Sequence, residues 1–309
     1  LNIDQVEKAA QSGAKMIIFA HVLGNPPNMN KLLEIKNKYN LIFLEDCCDA
    51  LGSTYNNKVV GIDADIATCS FYPAHHITMA EGGFVACKTQ EQELIARSFR
   101  EWGRACYCVG QKANLSIKGS CGCRFKNWIP ALPNEIFDHK YVYSNIGYNL
   151  KPIELQCSMG LVQLDKLPEI HQKRKINYKM LFEIFKPYDK YFIIHKATEN
   201  SDPSWFAFPL TLKDNNKFSR SDFTMYLESN KIQTRNYFGG NILLQPAYYG
   251  NVYGYDYDND IITKESSKEK FPIATKVTTD TLFLGTSPVI TTEQIYYVKK
   301  NVDNYFNKL

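Results

Sequence analysis

Nine cysteines stand in this 309-residue chain, and four of them, Cys106, Cys108, Cys121 and Cys123, fall within residues 103–143. That stretch is rich in glycine and aromatics, lacks helical or strand periodicity, and is too long for an idle loop in a compact domain. It is expected to organise around something. Clustered thiolates hold iron–sulfur clusters. Structural zinc is the competing use, although the single residue between Cys106 and Cys108 is tighter than the usual zinc knuckle. Free, partly buried thiols are the third reading, and the preferred one for Cys69, Cys87 and Cys157, which lie in strand or helix patterns. Two other features could do chemistry. Asp46 closes an apolar run of strand length, where an ionised carboxylate is costly unless a cation meets it. A protonated pyridine nitrogen would be such a cation, and a turn or helix cap is the plainer role. The tandem His75-His76 offers imidazoles, whose ordinary pKa of about 6.5 suits proton transfer near neutral pH.

These residues need elements to position them. Residues 15–20 and 41–44 are apolar runs of strand length, and residues 30–39 between them carry Leu32, Leu33 and Ile35 at helical spacing. Strand, helix and strand within about 30 residues is the pattern of a parallel sheet. Residues 66–71 and 83–87 read as further strands and residues 90–102 as a helix. Ligands of such sheets sit beyond the carboxyl ends of the strands, which makes Glu45-Asp46 and residues 72–76, Tyr72 among them, site candidates. Residues 152–167 and 169–185 read as two amphipathic helices, with Lys173-Arg174-Lys175 as a solvated basic face. Residues 205–212, 219–229 and 291–306 then give a strand and two helices of a smaller α+β lobe. The expected domains are residues 1–168, a cofactor-binding unit with the Cys-rich loop, and residues 169–309, a linker helix and small domain.

Composition narrows the class. Hydrophobic residues make up 44% of the chain, enough for a large core, and 36 basic against 32 acidic side chains leave a net charge of only +4. There is no basic tail, which argues against nucleic acid. No apolar run reaches the roughly 18 to 20 residues that span a bilayer, and no secretory signal opens the chain. A cytoplasmic protein is expected, with thiols kept reduced for metals or catalysis.

The segment Ser70-Phe71-Tyr72-Pro73-Ala74-His75-His76-Ile77-Thr78-Met79-Ala80-Glu81-Gly82-Gly83 resembles the cofactor-anchoring segment of the DegT/DnrJ/EryC sugar aminotransferases. The similarity runs from about Ile17 onward and takes in residues 45–55, 138–141, 147–150 and 238–241. It implies the fold-type I, aspartate aminotransferase-like architecture of pyridoxal phosphate enzymes. The large domain has a mainly parallel sheet and the N-terminal part of the family fold is absent before Leu1. In that family the position of Asp46 pairs with the pyridine nitrogen and that of His75 usually holds the Schiff-base lysine. A histidine there disfavours ordinary transamination. Tandem histidines are similar to those of the family branch that removes the C3 hydroxyl of CDP-4-keto-6-deoxyhexoses with pyridoxamine phosphate (PMP) and a 2Fe–2S cluster.

By that resemblance His75 is the catalytic base and Ser70 hydrogen-bonds the cofactor phosphate. Asn149 reaches the phosphate of a neighbouring subunit in a homodimer, and Asp49 faces the phenolic oxygen, holding a protonated or radical form of the ring. Cys48, Cys106, Cys108 and Cys121 are the implied cluster ligands. The 57 residues between Cys48 and Cys106 match the branch, whereas the 12 between Cys108 and Cys121 exceed its seven and leave Cys123 as a substitute. A flavin and iron–sulfur reductase is the implied electron donor. The competing enzymes are a cluster-free GDP-4-keto-6-deoxymannose 3-dehydratase and a sugar aminotransferase. A non-catalytic cluster-binding scaffold is the alternative of another class, because the family's N-terminal phosphate loop and ring-stacking aromatic are not in the chain. Arg235 is read either as a contact for substrate phosphates or as a surface residue.

Overall fold

The computed structural model describes residues 1–106, 124–214, 217–248, 256–257, 260–261 and 266–309. Contacts divide the chain into two units. The first comprises Leu1–Ala20, Met29–Cys48 and Val60–Asp165, and the second His21–Asn28, Asp49–Val59 and Lys166–Leu309. The second therefore takes two short segments that local sequence patterns assign to the first.

In the first unit, helix α1 (Ile3–Gln11) precedes strand β1 (Met16–Ala20), helix α2 (Met29–Tyr39) and strand β2 (Ile42–Asp46). Strands β3 (Ile66–Ser70) and β4 (Gly83–Cys87) and helices α3 (Gln90–Arg100) and α4 (Glu154–Asp165) follow. The caps explain where helices begin. The Asn2 side chain accepts from the Gln5 N–H to start α1, and Thr89 and Gln92 form a reciprocal capping box at α3.

The sheet order is β1-β2-β3-β4. β1, β2 and β3 run parallel, and β4 pairs antiparallel with β3. Register brings Ala20 beside Asp46, Asp46 beside Thr68, and Ser70 beside Gly83, all at one edge. Because side chains alternate, Phe19, Phe43 and Glu45 share one buried face, and Lys36 of α2 lies over the Phe43 ring at 4.8 Å. The opposite face carries Ile18, Ile42 and Val85, which are 67%, 47% and 55% exposed. The amphipathic helix expected over residues 152–167 forms as α4, yet it buries none of its side chains.

The second unit is built differently. Helix α5 (Leu167–Phe185) leads to strands β5 (Phe192–Ile194) and β6 (Ala207–Leu212) and helix α6 (Arg220–Ser229). Strands β7 (Thr234–Asn236) and β8 (Thr281–Gly285) and helix α7 (Thr292–Phe306) complete it. The antiparallel sheet has the order β7-β8-β6-β5, and every residue of β6 is buried. Phe185, Phe192, Phe208 and Phe223 form a fully buried aromatic centre with Leu210, Leu227 and Leu282 around it. Several of its ring pairs meet edge to face, as Phe185 and Phe192 do at 5.7 Å between centroids.

Candidate functional site

Asp46 sits half-buried at the carboxyl end of β2. Its Oδ1 accepts the Cys48 N–H at 2.9 Å, so the turn role is real, but a carboxylate has about four acceptor positions and this uses one. The Cys48 thiol also hydrogen-bonds the Asp46 carboxylate. Burial, then that contact and the Asp46 charge, push this thiol up to about 12. Glu45, one residue earlier, points to the other face. It is buried and accepts the Gly61 N–H at 2.8 Å, which makes it a structural anchor of the next loop.

Ser70 ends β3 on the same edge, and its Oγ accepts the Tyr72 N–H at 3.2 Å. Its own proton is thereby directed elsewhere and can be donated to an anion. The segment after it closes on itself. Phe71 N–H donates to Gly82 C=O at 2.9 Å, Met79 N–H to Phe71 C=O at 3.0 Å, and His75 N–H to Tyr72 C=O at 2.9 Å. A Cβ on Gly83 would lie 2.3 Å from the Cys69 carbonyl oxygen, so only glycine lets β4 start this close to Ser70. His76, Ile77 and Met79 are buried and anchor the loop. His75 is half-buried and Tyr72 exposed. Position along the loop separates the two histidines into an anchor and a side chain available for chemistry.

Asn149 lies on an exposed segment held against the end of α3 by its bridge to Glu101. Glycines make this approach possible, since a Cβ on Gly103, where φ is +81°, would sit 1.8 Å from the Asn145 carbonyl oxygen. Cys106 is half-buried and outside any disulfide, whereas Cys108, Cys121 and Cys123 lie outside the described residues. Burial pushes the Cys69 thiol up to about 12 and raises Cys87, as expected for structural thiols. The same holds for Cys47, which sequence patterns did not single out; burial, then Glu45, raises it strongly.

Asp49 belongs to the second unit, where its Oδ2 accepts the Leu23 N–H at 3.2 Å. The basic run nearby departs from expectation. Lys173 and Lys175 pair with Glu169 and Asp202 at the surface, but Arg174 is only 4% exposed. Arg235 is exposed on β7, and its guanidinium donates to the Thr234 carbonyl at 2.9 Å.

Asp46 and Ser70 thus end neighbouring strands at the carboxyl edge of a parallel sheet, and His75 follows in the loop from Ser70 to Gly83, which contains no lysine. This donor set suits an anionic ligand with a cationic ring. The chain belongs to the DegT/DnrJ/EryC1/StrS aminotransferase family, whose model matches residues 1–303. It is 41% identical over 307 residues to the lipopolysaccharide biosynthesis protein RfbH of Salmonella typhimurium, covering 99% of this chain and 66% of that protein. It is 36% identical over 305 residues to the dTDP-4-dehydro-2,6-dideoxy-D-glucose 3-dehydratase of Saccharopolyspora spinosa, covering 99% and 62%. The chain therefore spans just under two thirds of the length of these relatives. An E. coli GDP-4-keto-6-deoxy-D-mannose-3-dehydratase with bound hydrated pyridoxal phosphate (PLP) superposes with a TM-score of 0.77 at 25% identity, over 98% of this chain and 70% of that one. The fold is that of the PLP-dependent aminotransferase-like proteins of this family.

Proposed function

We propose that this chain carries the coenzyme-binding and catalytic residues of a PMP-dependent dehydrase. Its reaction is removal of the C3 hydroxyl from a CDP-linked 4-keto-6-deoxyhexose, toward the 3,6-dideoxysugars of lipopolysaccharide. The observation that carries this reading is the half-buried His75 in a closed loop without lysine, on the edge that presents Asp46 and Ser70. The relatives named above, one a lipopolysaccharide biosynthesis protein and one a sugar-nucleotide 3-dehydratase, support it.

Bound PMP would supply an amine for the 4-keto group and a conjugated path that carries the electron pair of the methylene C–H bond toward C3, from which the hydroxyl leaves with the C–O pair. The protein's part is orientation and proton transfer. Asp46 keeps acceptor capacity for the ring nitrogen, and its negative charge favours the protonated form. Ser70 donates its hydroxyl proton to the phosphate. The His75 imidazole takes the proton from the methylene carbon, a step that a resident lysine would otherwise perform. Tyr72, exposed on the same loop, is a further coenzyme-binding residue in this reading. In a homodimer the exposed Asn149 meets the partner's phosphate, and exposed apolar residues beside it, Tyr148 and Leu150, supply contact area.

Cys48, Cys106, Cys108 and Cys121 are the proposed ligands of a 2Fe–2S cluster, with Cys123 as the substitute fourth. The two described members, Cys48 and Cys106, are half-buried and outside any disulfide, and a bound iron would have to displace the proton of the Cys48 thiol, whose pKa is raised, to gain its thiolate. Cys48 contacts Asp46 directly, so a cluster there lies close to the coenzyme edge. Electrons come from a separate flavin and iron–sulfur reductase in the cytoplasm; no helix among the described residues is long and apolar enough to cross a membrane.

The test is a visible and paramagnetic-resonance spectrum of anaerobically purified protein, with and without PMP. A thiolate-to-iron absorption band that bleaches on reduction, and an added PMP band, are expected. No bleaching removes the cluster from the account; no PMP band removes the coenzyme. Comparing turnover of CDP-, GDP- and dTDP-linked 4-keto sugars then fixes the nucleotide.

A further inference from the structure

Asp49 is the expected coenzyme contact that the second unit carries, and a path of peptide groups holds it there. The Leu23 N–H donates to Asp49 Oδ2 at 3.2 Å. The Leu23 carbonyl accepts the Phe206 N–H at 3.0 Å. The Phe206 carbonyl in turn accepts Arg174 Nη1 at 3.0 Å. The three hydrogen bonds tie the guanidinium and the carboxylate to the same two backbone positions, Leu23 and Phe206, using the N–H and C=O on either side of each Cα.

Around this path the packing is tight. The Thr286 hydroxyl reaches the Trp205 and Phe206 carbonyls, at 2.8 and 2.9 Å, and Arg174 Nη1 makes a longer contact of 3.4 Å to the Trp205 carbonyl. Leu23 itself is held at φ 54°, ψ 23°, a left-handed conformation that a leucine adopts only when its surroundings impose it. At Gly24, where φ is +91°, a Cβ would lie 2.4 Å from the Ser204 carbonyl oxygen and 3.1 Å from that of Asp49. The loop carrying Asp49 is thereby fixed at its backbone as well as its side chain.

A buried guanidinium is costly unless an opposite charge compensates it. Arg174 is buried, and its Nε finds no hydrogen-bond partner among the described residues. Burial brings its pKa down to about 10, and Asp49 is the charge that opposes this. Tyr237 also faces Asp49, and its phenol is pushed up to about 12 by burial and then by the Asp49 charge. Nothing on the solvated-face reading of residues 173–175 accounts for such a placement.

We propose that Arg174 is a positioning residue: it holds the Asp49 side chain in place through the backbone of Leu23 and Phe206, so that whatever Asp49 contacts meets a fixed group. What Asp49 touches rests on the coenzyme reading; the coupling of Arg174 to Asp49 does not.

The experiment uses the full chain with Arg174→Gln, Asp49→Asn, the double variant, and Arg174→Lys. Melting without coenzyme reads the coupling. Asp49→Asn strands the buried Arg174 and Arg174→Gln strands the half-buried Asp49, so the double variant is expected to lose less than the two singles summed, by about 3 °C or more in Tm. Additive losses overturn the proposal. Should Arg174→Gln fail to fold, Arg174→Met, which keeps the aliphatic stem and removes the charge, replaces it in the cycle with the same sign of non-additivity expected, while the charge-retaining Arg174→Lys should lose less than either. Pyridoxal phosphate is then added and its visible absorption titrated with pH. A midpoint displaced in the Arg174 variant relative to the parent supports the positioning role. An unmoved midpoint, with non-additive melting, reduces the pair to a structural one and overturns it. No pyridoxal phosphate binding by the parent chain sinks the coenzyme reading instead, while melting still decides the coupling.

Discussion

The two units bury their apolar side chains to very different extents. In the second, β6 is buried along its whole length and four phenylalanines meet in a closed centre. In the first, one face of the sheet exposes Ile18, Ile42 and Val85, and α4 exposes Leu155 and Leu161 at 72% and 67%. Asp46, Ser70 and His75 all belong to that open unit. Exposed apolar faces of this extent mark surfaces that normally meet other protein. The well-packed core and most of the proposed site residues thus lie in different parts of the chain: a closed aromatic centre in one, and in the other a strand edge whose sheet is covered on one side only.

The largest expected effect tests that separation directly. His75→Asn should lower dehydration turnover by about 10²- to 10⁴-fold, the usual worth of a general base, while leaving the melting curve in place because the imidazole is half-exposed. Parallel losses of turnover and Tm would put His75 among the residues that hold the fold. Next in size, Phe208→Ala removes a fully buried ring and should cost about 3–5 kcal/mol in denaturant unfolding. A cost below about 1 kcal/mol would mean that the second unit's core is not the stability reservoir its packing describes. Ile18→Thr is the counterpart on the open face. With that face uncovered, unfolding free energy should change by no more than about 0.5 kcal/mol, and a loss near that of Phe208→Ala would show the face to be buried in solution.

Much of this arrangement is legible in residue order. Short apolar runs around a helical stretch announced the parallel strands, and the rule that ligands gather at their carboxyl ends pointed to Asp46 and to the loop after Ser70. Alternation could also have parted Glu45 from Asp46, because Glu45 shares its face with Phe43. The Arg174 reading went astray on charge. Lys173-Arg174-Lys175 resembles a solvated run, yet Arg174 lies on one stripe with Asn177, Tyr178 and Leu181, all buried in α5, at the i, i+3, i+4, i+7 spacing of a core-facing side. Local patterns hold no comparable signal for residues 21–28 and 49–59 joining the second unit. Their partners, such as Ser204 for Ser53 at 2.8 Å, are about 150 positions away. Nor can an apolar helix such as α4 reveal whether anything covers it.

The smallest effect comes from two histidines of the second unit. Burial lowers the pKa of His171 and of His195; His195 Nε2 lies 3.4 Å from Thr211 Oγ1, which in turn contacts Thr281 Oγ1 at 2.9 Å. A lowered folded-state value means that the unfolded chain binds the proton more readily. Stability from these groups is therefore intact above the unfolded pKa of about 6.5 and declines as pH falls through it toward the folded values. Tm should be level between pH 7 and 8 and drop by pH 5.5, and His195→Gln should flatten part of that drop. Since both histidines sit in the closed unit, protection against amide exchange, corrected for the slower intrinsic exchange in acid, should fall at pH 5.5 across β5, β6 and β8 more than across β1 to β3. Lost protection in the parallel strands alone would place the acid-sensitive groups in the open unit and break the contrast between the two.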